Sequence, residues 1–233
     1  MSQLSKYIMM RSHYGKTGTL SIYAPEGALE LIEQLIKTNI ALDRFQTQDK
    51  KLKDPKYKLI ASETLVKTPV KVRSGKYVYA TPVTHRVPAF GYYVICRVNK
   101  LKDEYINLGS SAIRDLAKSG TVISEIVNKY MFGYTGDTTI RSLIANQHLL
   151  NVPILITECT FLSPEHKGLA KSTQHIHALD VASHIGLFKA ETIILMHISP
   201  RYKLEEIHEI IQKNIVPSMR VDQHLTLCSC YTG

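Results

Sequence analysis

Residues 129–158, KYMFGYTGDTTIRSLIANQHLLNVPILITE, contain the pattern that decides the fold. An aromatic-rich segment ends at Asp137, a segment with helical spacing follows, and the apolar run VPILITE ends at Glu158. We interpret these segments as strand, helix and strand, with an acidic residue at the end of each strand. This order predicts parallel strands whose polar end residues meet at one edge of a sheet.

The same rhythm continues towards the C-terminus. HALDVASHIGLF (177–188) predicts a helix, and AETIILMH (190–197) predicts a buried strand that ends at His197. KLEEIHEIIQKNI (203–215) predicts an amphipathic helix, and MRVDQHLTLC (219–228) a last strand. Alternating strands and helices of this kind indicate an α/β sandwich whose site lies in the loops after the strands.

The N-terminal part contains a predicted helix over 28–45 and a series of short strands. A charged loop with one proline spans 47–58, and 100–128 is a mostly polar, glycine-punctuated excursion from the core with a short helical pattern. The strands are predicted at 19–25, 58–62, 68–73, 76–85 and 90–99.

Composition excludes some classes of protein and favours others. The 233 residues contain no apolar run long enough to cross a membrane, and the four cysteines lack the spacing of a disulfide scaffold or a zinc finger. The chain has 29 Lys and Arg against 20 Asp and Glu, a net charge of +9. This charge fits a polyanionic partner such as RNA, although solubility alone would also account for it.

Four polar residues end apolar strands or begin the loops after them, namely His85, Asp137, Glu158 and His197. Imidazole and carboxylate groups are ligands that suit zinc or manganese, and a rigid sheet edge holds them in place. A single strand-end histidine is more often a hydrogen-bonded structural residue, and Asp137 could instead cap the helix after it. Four such residues on successive strands favour a metal site.

Six segments stand in this order along the chain: SIYAPEG (21–27), THRVPAFGYYV (84–94), YTGDTT (134–139), ITECTFL (156–162), QHIHALDVA (174–182) and MHISPRY (196–202). In this order they resemble the motifs of the tRNase Z family. The resemblance implies a metallo-β-lactamase αββα sandwich, a single domain over 1–233 in which 100–128 is an inserted arm of the short plant-like forms. It also implies a hydrolase, an endoribonuclease that processes tRNA 3′ ends and leaves a 3′-hydroxyl.

The resemblance assigns a two-metal site, usually with zinc, in which the metals activate a bridging water. His85 matches a ligand of one metal, His197 a ligand of the other, and Asp137 the carboxylate that bridges both. His175 matches the histidine that donates a proton to the leaving ribose oxygen. Our hypothesis for Glu158 is that it orients His175, with a buried, backbone-bonded acid as the alternative.

The resemblance also implies contacts with RNA. Lys100, Lys102, Arg114 and Lys118 of the arm are candidates for binding the phosphates of precursor tRNA, with a solvated loop as the alternative. The basic loop 47–58 is a second candidate. Members of the family are commonly homodimers, and no membrane association is expected. We expect the cytoplasm or nucleus as the compartment.

Two features depart from the family pattern. The H-x-H-x-D-H motif, which supplies further ligands, does not occur in the 233 residues, and its last histidine is expected immediately before Met1. We therefore expect a fragment or an incomplete chain of an active enzyme, with an inactive RNA-binding or partner-binding relative as the alternative. The second departure is Gln174, which stands where a glycine commonly precedes the proton-donating histidine.

Overall fold

The computed structural model describes residues 2–16, 18–47, 54–73 and 75–228, and the chain forms two compact units, Met1–Thr68 and Pro69–Gly233. Much of the predicted basic loop 47–58, and Cys230 near the C-terminus, lie outside the described residues. A single domain over the whole chain stays a prediction.

The first unit pairs two parallel strands with two longer helices. The apolar residues Ile32 and Ile36 lie one helical turn apart on α2, and they pack with Ile8 of α1 and Ala24 of β1. The predicted strand 19–25 and helix 28–45 are both present. The elements are α1 (Ser2–His13), β1 (Leu20–Ala24), α2 (Leu29–Thr47), β2 (Tyr57–Ala61) and α3 (Thr64–Lys67).

The second unit is built on a seven-stranded sheet in the order β3-β4-β5-β6-β7-β8-β9. The pairs from β3 to β6 are antiparallel, and those from β6 to β9 are parallel. Parallel neighbours need a crossover connection, which the predicted helices between these strands supply. The strands are β3 (Val70–Arg73), β4 (Lys76–Val83), β5 (Ala89–Leu101), β6 (Ser124–Tyr134), β7 (Ile154–Glu158), β8 (Thr192–Met196) and β9 (His224–Leu227).

Six helices connect these strands, and the parallel half of the sheet lies at the centre of the core. Leu155 of β7 and Ile193 of β8 are fully buried, together with Phe188 and the helical residue Leu143. Their burial removes apolar surface from water and fixes the strand ends that carry the site. The helices are α4 (Ser110–Lys118), α5 (Ile140–Ala145), α6 (Gln147–Leu150), α7 (Lys167–Thr173), α8 (Ala178–His184) and α9 (Leu204–Asn214).

The helix expected after Asp137 begins later and is divided in two. Its N-cap is Thr139, whose hydroxyl accepts a hydrogen bond from Ser142 N at 3.3 Å. Asn146 then ends α5 and caps α6, where its side-chain oxygen accepts from Leu149 N at 3.3 Å. Asp137 is therefore not the N-cap, and its carboxylate does not cap the helix.

The segment 100–128 forms an arm on the sheet. Strands β5 and β6 remain paired as far as Leu101 and Ser124, and α4 lies in the connection between them. Helix α4 has no buried residue, as expected for a segment outside the core. None of the helices in the described part of the chain is both long and apolar enough to span a bilayer.

Candidate metal and acid–base site

The five predicted site residues of the strand ends and the following turns converge in the second unit. His85 follows β4, Asp137 follows β6, Glu158 ends β7 and His197 follows β8, while His175 lies in the turn between α7 and α8. Potential ligand atoms lie within 4.8 Å of one another in two overlapping groups. One group contains His85, Asp137 and His175, and the other contains Glu158, His175 and His197.

Glu158 is buried at the centre of this arrangement and accepts four hydrogen bonds. Oε1 accepts from Thr138 N at 2.7 Å and from His175 Nδ1 at 2.9 Å. Oε2 accepts from Thr160 Oγ1 at 2.6 Å and from Ile176 N at 3.2 Å. Four donors around two oxygens match the hydrogen-bonding capacity of an ionised carboxylate, which accepts and does not donate.

The bond between His175 and Glu158 determines which nitrogen of His175 remains free. Nδ1–H donates to the carboxylate, so Nε2 is not engaged by it. The side chain of His175 is 11% exposed and that of Glu158 is fully buried, which leaves one edge of the imidazole in contact with the outside. A histidine held in this way has a fixed orientation and one nitrogen free for proton transfer.

Thr160 is a site residue that sequence reasoning missed, and it connects His197 to the same carboxylate. Its hydroxyl has one hydrogen, which it donates to Glu158 Oε2 at 2.6 Å. The contact of 2.9 Å between Thr160 Oγ1 and His197 Nδ1 therefore has His197 as the donor. Nδ1 of His197 then carries the hydrogen and Nε2 is the nitrogen available to a metal. No sequence signal indicates this contact, because Thr160 lies two residues after Glu158 in ITECTFL but 37 residues before His197.

Two contacts compete for Nδ1 of His197. Asp137 Oδ1 lies 3.6 Å from this nitrogen, whereas Thr160 Oγ1 lies 2.9 Å from it. The longer distance is outside hydrogen-bonding range, so Thr160 is the partner and the Asp137 carboxylate is a nearby charge. Burial, followed by the charge of Asp137, raises the pKa of the Tyr134 hydroxyl, which stays neutral at ordinary pH.

A backbone carbonyl orients the third imidazole. Nδ1 of His85 lies 3.1 Å from the carbonyl oxygen of Gln174, so it donates to this oxygen and leaves Nε2 free. Gln174 ends α7 in the left-handed region, with φ +59° and ψ +47°. This conformation favours glycine, the residue that commonly stands here in the resembling family. The same turn therefore carries His175 and the carbonyl that holds His85.

The donor set fits a metal ion by its chemistry. In both His85 and His197, one ring nitrogen is bound to an oxygen acceptor and the other is free, as in metal-ligating histidines. Asp137 supplies a carboxylate close to both groups, and its side chain is 41% exposed. His197 has a positive φ of 57°, a strained backbone of the kind that accumulates at functional sites.

His177, two residues after His175, is completely buried. Its Nδ1 accepts from Leu179 N at 3.0 Å and caps α8, and its Nε2–H donates to Ser163 O at 2.9 Å. Both ring nitrogens are thus used inside the fold, and neither is available to a metal or substrate.

The predicted RNA-binding residues do not lie at this site. Lys100, Lys102, Arg114 and Lys118 all belong to the arm, at the opposite end of β5 and β6 from Asp137. From Tyr92 to Leu101 the strand extends over about 30 Å at its usual rise per residue. Lys100 forms an ion pair with Asp103 at 2.8 Å, and this bond raises its pKa. Their role in binding RNA stays a prediction.

Comparisons with known proteins identify relatives of this chain in sequence and in fold. tRNase Z TRZ1 of Arabidopsis thaliana is 30% identical over 215 residues, which cover 89% of this chain and 71% of that protein. The crystal structure of YhfI from Bacillus subtilis, a metallo-β-lactamase fold protein, superimposes with a TM-score of 0.54 at 16% identity and covers 97% of this chain and 68% of its own. Human tRNase Z, short form, gives a TM-score of 0.52 at 16% identity over 97% of this chain and 70% of its own. No family model matches the chain.

The mixed sheet and the histidine and carboxylate groups at its strand ends define a protein of the metallo-β-lactamase fold. The fold class expected from the sequence is thus confirmed. Within this fold, the chain belongs to the tRNase Z family. The family resemblance drawn from the sequence motifs is confirmed by the same relative.

Proposed function

We propose that this chain is an endoribonuclease that acts on precursor tRNA and releases the 3′ trailer by hydrolysis of a phosphodiester bond. The observation that carries the proposal is the convergence of three imidazoles and two carboxylates from separate elements, in a chain of the tRNase Z family. The cytoplasm or nucleus stays the expected compartment, which cell fractionation can check. A homodimer stays a prediction, which light scattering on the purified chain can check.

The metal ion is proposed to be zinc, held by the free nitrogens of His85 and His197 and by the carboxylate of Asp137. Imidazole and carboxylate are common ligands of catalytic zinc, and a pair of ions would share Asp137. Such ions would supply an activated water and stabilise charge on the phosphoryl oxygens. The donor geometry of both imidazoles supports this assignment, because each has its other nitrogen fixed by an oxygen.

Residues of the chain are proposed to donate the proton that the leaving group takes. Water attacks phosphorus and releases one proton to the solvent, the bond from phosphorus to the ribose O3′ breaks, and O3′ takes a proton from Nε2 of His175, which regains a proton from the solvent. Glu158 holds the ring through Nδ1 at 2.9 Å and stabilises its protonated form before transfer. A positioned acid of this type contributes roughly 10²- to 10⁴-fold in rate. The tRNA then ends in a 3′-hydroxyl.

A second candidate is an RNA-binding protein without turnover. Two observations favour it: the net charge of +9, and the lack of an H-x-H-x-D-H motif among the 233 residues. For a pair of ions, His85, His197 and the shared Asp137 would give each ion two protein ligands, fewer than the roughly three that a catalytic zinc usually has. This candidate predicts salt-dependent affinity for tRNA with no product at any metal concentration.

The experiment that separates the two is cleavage of a precursor tRNA with a 3′ trailer, in added zinc or manganese. We expect cleavage by the chain as it stands, about 10²-fold slower or worse cleavage by His175→Ala, and unchanged cleavage by His208→Ala. His208 is exposed on α9 and is the matched control. Binding without cleavage at any metal concentration would support the second candidate, and equal rates for the two variants would remove His175 from the mechanism.

A further inference from the structure

A large cleft is lined by His175 but by neither Asp137 nor His197. Its volume is about 1060 Å³, and it lies between the end of β4, helices α5 and α6, and helix α7. His175 lines the cleft together with Gln174, and His148 of α6 also lines it. We call this space the α5–α7 cleft. Neither the proposed metal binding nor the proposed proton transfer assigns a role to this space.

The α5–α7 cleft is positively charged. Arg141 of α5 and Lys167 and Lys171 of α7 line it, against the single carboxylate of Asp180. Asp180 is paired with Lys167 at 3.7 Å. Among the residues that the structure describes, Arg141 and Lys171 have no acidic partner within 4.0 Å. These exposed cations are therefore free to bind an anionic ligand such as a phosphate.

An aromatic ring suited to stacking lies in the wall of the same cleft. The exposed imidazole of His148 is stacked on Tyr93, with ring centroids 4.6 Å apart and an angle of 10° between the planes. Tyr130 fixes the ring through a hydrogen bond of 2.7 Å to Nδ1. Tyr79 continues the stack on the other face of Tyr93, at 5.1 Å. A rigid, exposed ring next to cations is the combination that binds single-stranded nucleic acid.

We propose that the α5–α7 cleft binds the single-stranded 3′ end of the tRNA on the 5′ side of the scissile phosphate. Lys171 and Arg141 bind backbone phosphates there, and a base stacks on His148. The polarity rests on the proposed function, in which His175 protonates O3′. The nucleotide that carries O3′ must lie next to His175, and His175 lines the cleft. The trailer leaves in the other direction.

Binding of a short, fluorescent, single-stranded RNA with the acceptor-strand sequence tests the charge of the cleft. The triple variant Arg141→Gln, Lys167→Gln, Lys171→Gln should bind more weakly, and the slope of log K against log salt should become shallower by roughly 1.4, because Lys171 and Arg141 neutralise two phosphates and each phosphate on a single strand contributes about 0.7 to the slope. The control Lys129→Gln, Lys189→Gln, Lys213→Gln removes the same charge from exposed positions outside the cleft. Equal slopes for the two triple variants would overturn the proposal.

Stacking of a base on His148 is tested separately with the same oligonucleotide. His148→Ala should weaken binding about fivefold or more, which is the effect of removing one base–aromatic stack, while His148→Phe should retain it. Similar affinity of the two variants would remove the stack from the proposal. Far-ultraviolet circular dichroism of both variants checks that the fold is unchanged.

Photocrosslinking tests the polarity. A precursor tRNA with 4-thiouridine immediately 5′ of the cleavage position should crosslink to a peptide that contains His148, and one with the label immediately 3′ should not. Crosslinking to this peptide only from the 3′ side, or from neither position, would overturn the proposal. None of these measurements needs turnover. An inactive chain that gives the expected crosslink would contradict the proposed function and leave the cleft assignment standing.

Discussion

Thr160 makes the site a connected unit at the scale of single residues. Its hydroxyl accepts from Nδ1 of His197 at 2.9 Å and donates to Glu158, which also holds His175. The orientation of two imidazoles thus depends on one buried carboxylate. The position of a hydroxyl two residues after an acid gives no indication from sequence alone that it contacts a histidine 37 residues away.

Replacing Thr160 with valine should release His197 from its fixed tautomer, because valine has a similar shape but accepts no hydrogen bond. We expect a fall in the population of the Nδ1–H form and roughly tenfold weaker zinc binding. Long-range nitrogen–proton NMR spectra of the histidine rings measure the tautomer without metal. Thr160→Ser retains the hydroxyl and should behave as the parent chain. Identical ring spectra for the valine and serine variants would contradict this prediction.

Gln174 has a strained backbone conformation that glycine would relieve. Its φ is +59°, and its side-chain Oε1 is buried without a hydrogen-bond partner in the described part of the chain. Gln174→Gly should raise the free energy of unfolding by about 1 kcal/mol, since the left-handed region costs other residues about 1–2 kcal/mol. Urea unfolding measures this, with Gln174→Ala as the control that retains a Cβ. An alanine variant as stable as the glycine variant would contradict the explanation.

At the scale of elements, the sequence predicts the helices and strands better than their ends. Buried strands such as β7 and β8 have unambiguous apolar runs, and amphipathic α9 has clear periodicity. The expected helix over 138–150 is broken because Asn146 satisfies the backbone of α6, a local competition that periodicity does not include. The strand expected from residue 129 begins at Ser124, because pairing with β5 extends it into a polar segment.

The candidate site could be predicted only in part, because sequence patterns indicate the ends of strands but not tertiary contacts. His85, Asp137, Glu158 and His197 end strands, and a strand end has a place in the sheet that the sequence pattern indicates. The position of His175 depends on a left-handed turn at Gln174, and the contact of Gln174 O with His85 joins residues 89 positions apart. Such contacts depend on tertiary packing. The family resemblance predicted the role of His175, whereas the contact between Gln174 and His85 was not predicted.

The arm formed by β5, α4 and β6 should bind folded tRNA and not a short single strand, because it lies far from the site along the sheet. Neutralising Lys102, Arg114 and Lys118 to glutamine should weaken tRNA binding and reduce its salt slope by about 2, and leave the affinity for the short oligonucleotide unchanged. Lys100→Gln alone should have a smaller effect, because Asp103 already neutralises Lys100 at 2.8 Å. Filter binding at several salt concentrations measures both ligands. Unchanged tRNA affinity in the triple variant would contradict the role of the arm.

At the scale of the whole molecule, a buried tyrosine makes stability sensitive to alkaline pH. Burial, followed by the neighbouring Tyr130 and Tyr79, raises the pKa of Tyr93 from 10.0 to about 12. Between these values the unfolded chain loses the proton and the folded chain retains it. The free energy of unfolding therefore falls as the pH rises from about 10 to 12, by at most about 1.4 kcal/mol per pH unit from this group.

Tyr93→Phe should remove this part of the pH dependence and retain the stacked ring. Urea unfolding of the parent chain and the variant at several pH values between 9 and 12 gives the difference between their free energies of unfolding. The contributions of the other tyrosines cancel in this difference. We expect the variant to lose less stability than the parent over this range. Parallel curves for the two proteins would contradict the assignment of the shift to Tyr93.

The three imidazoles depend on a small set of hydrogen-bond partners, and this affects how the site would respond to random mutation. One carboxylate at Glu158 and one carbonyl at Gln174 hold His85, His175 and, through Thr160, His197. A change in codon 158 would loosen His175 and His197 at once, and a change in codon 160 would loosen His197, while every histidine remained in place. A gene copy drifting without selection can therefore lose the arrangement of the site while it retains every histidine. Histidine conservation alone would overestimate the number of working copies, and the pair Glu158 and Thr160 is the better indicator.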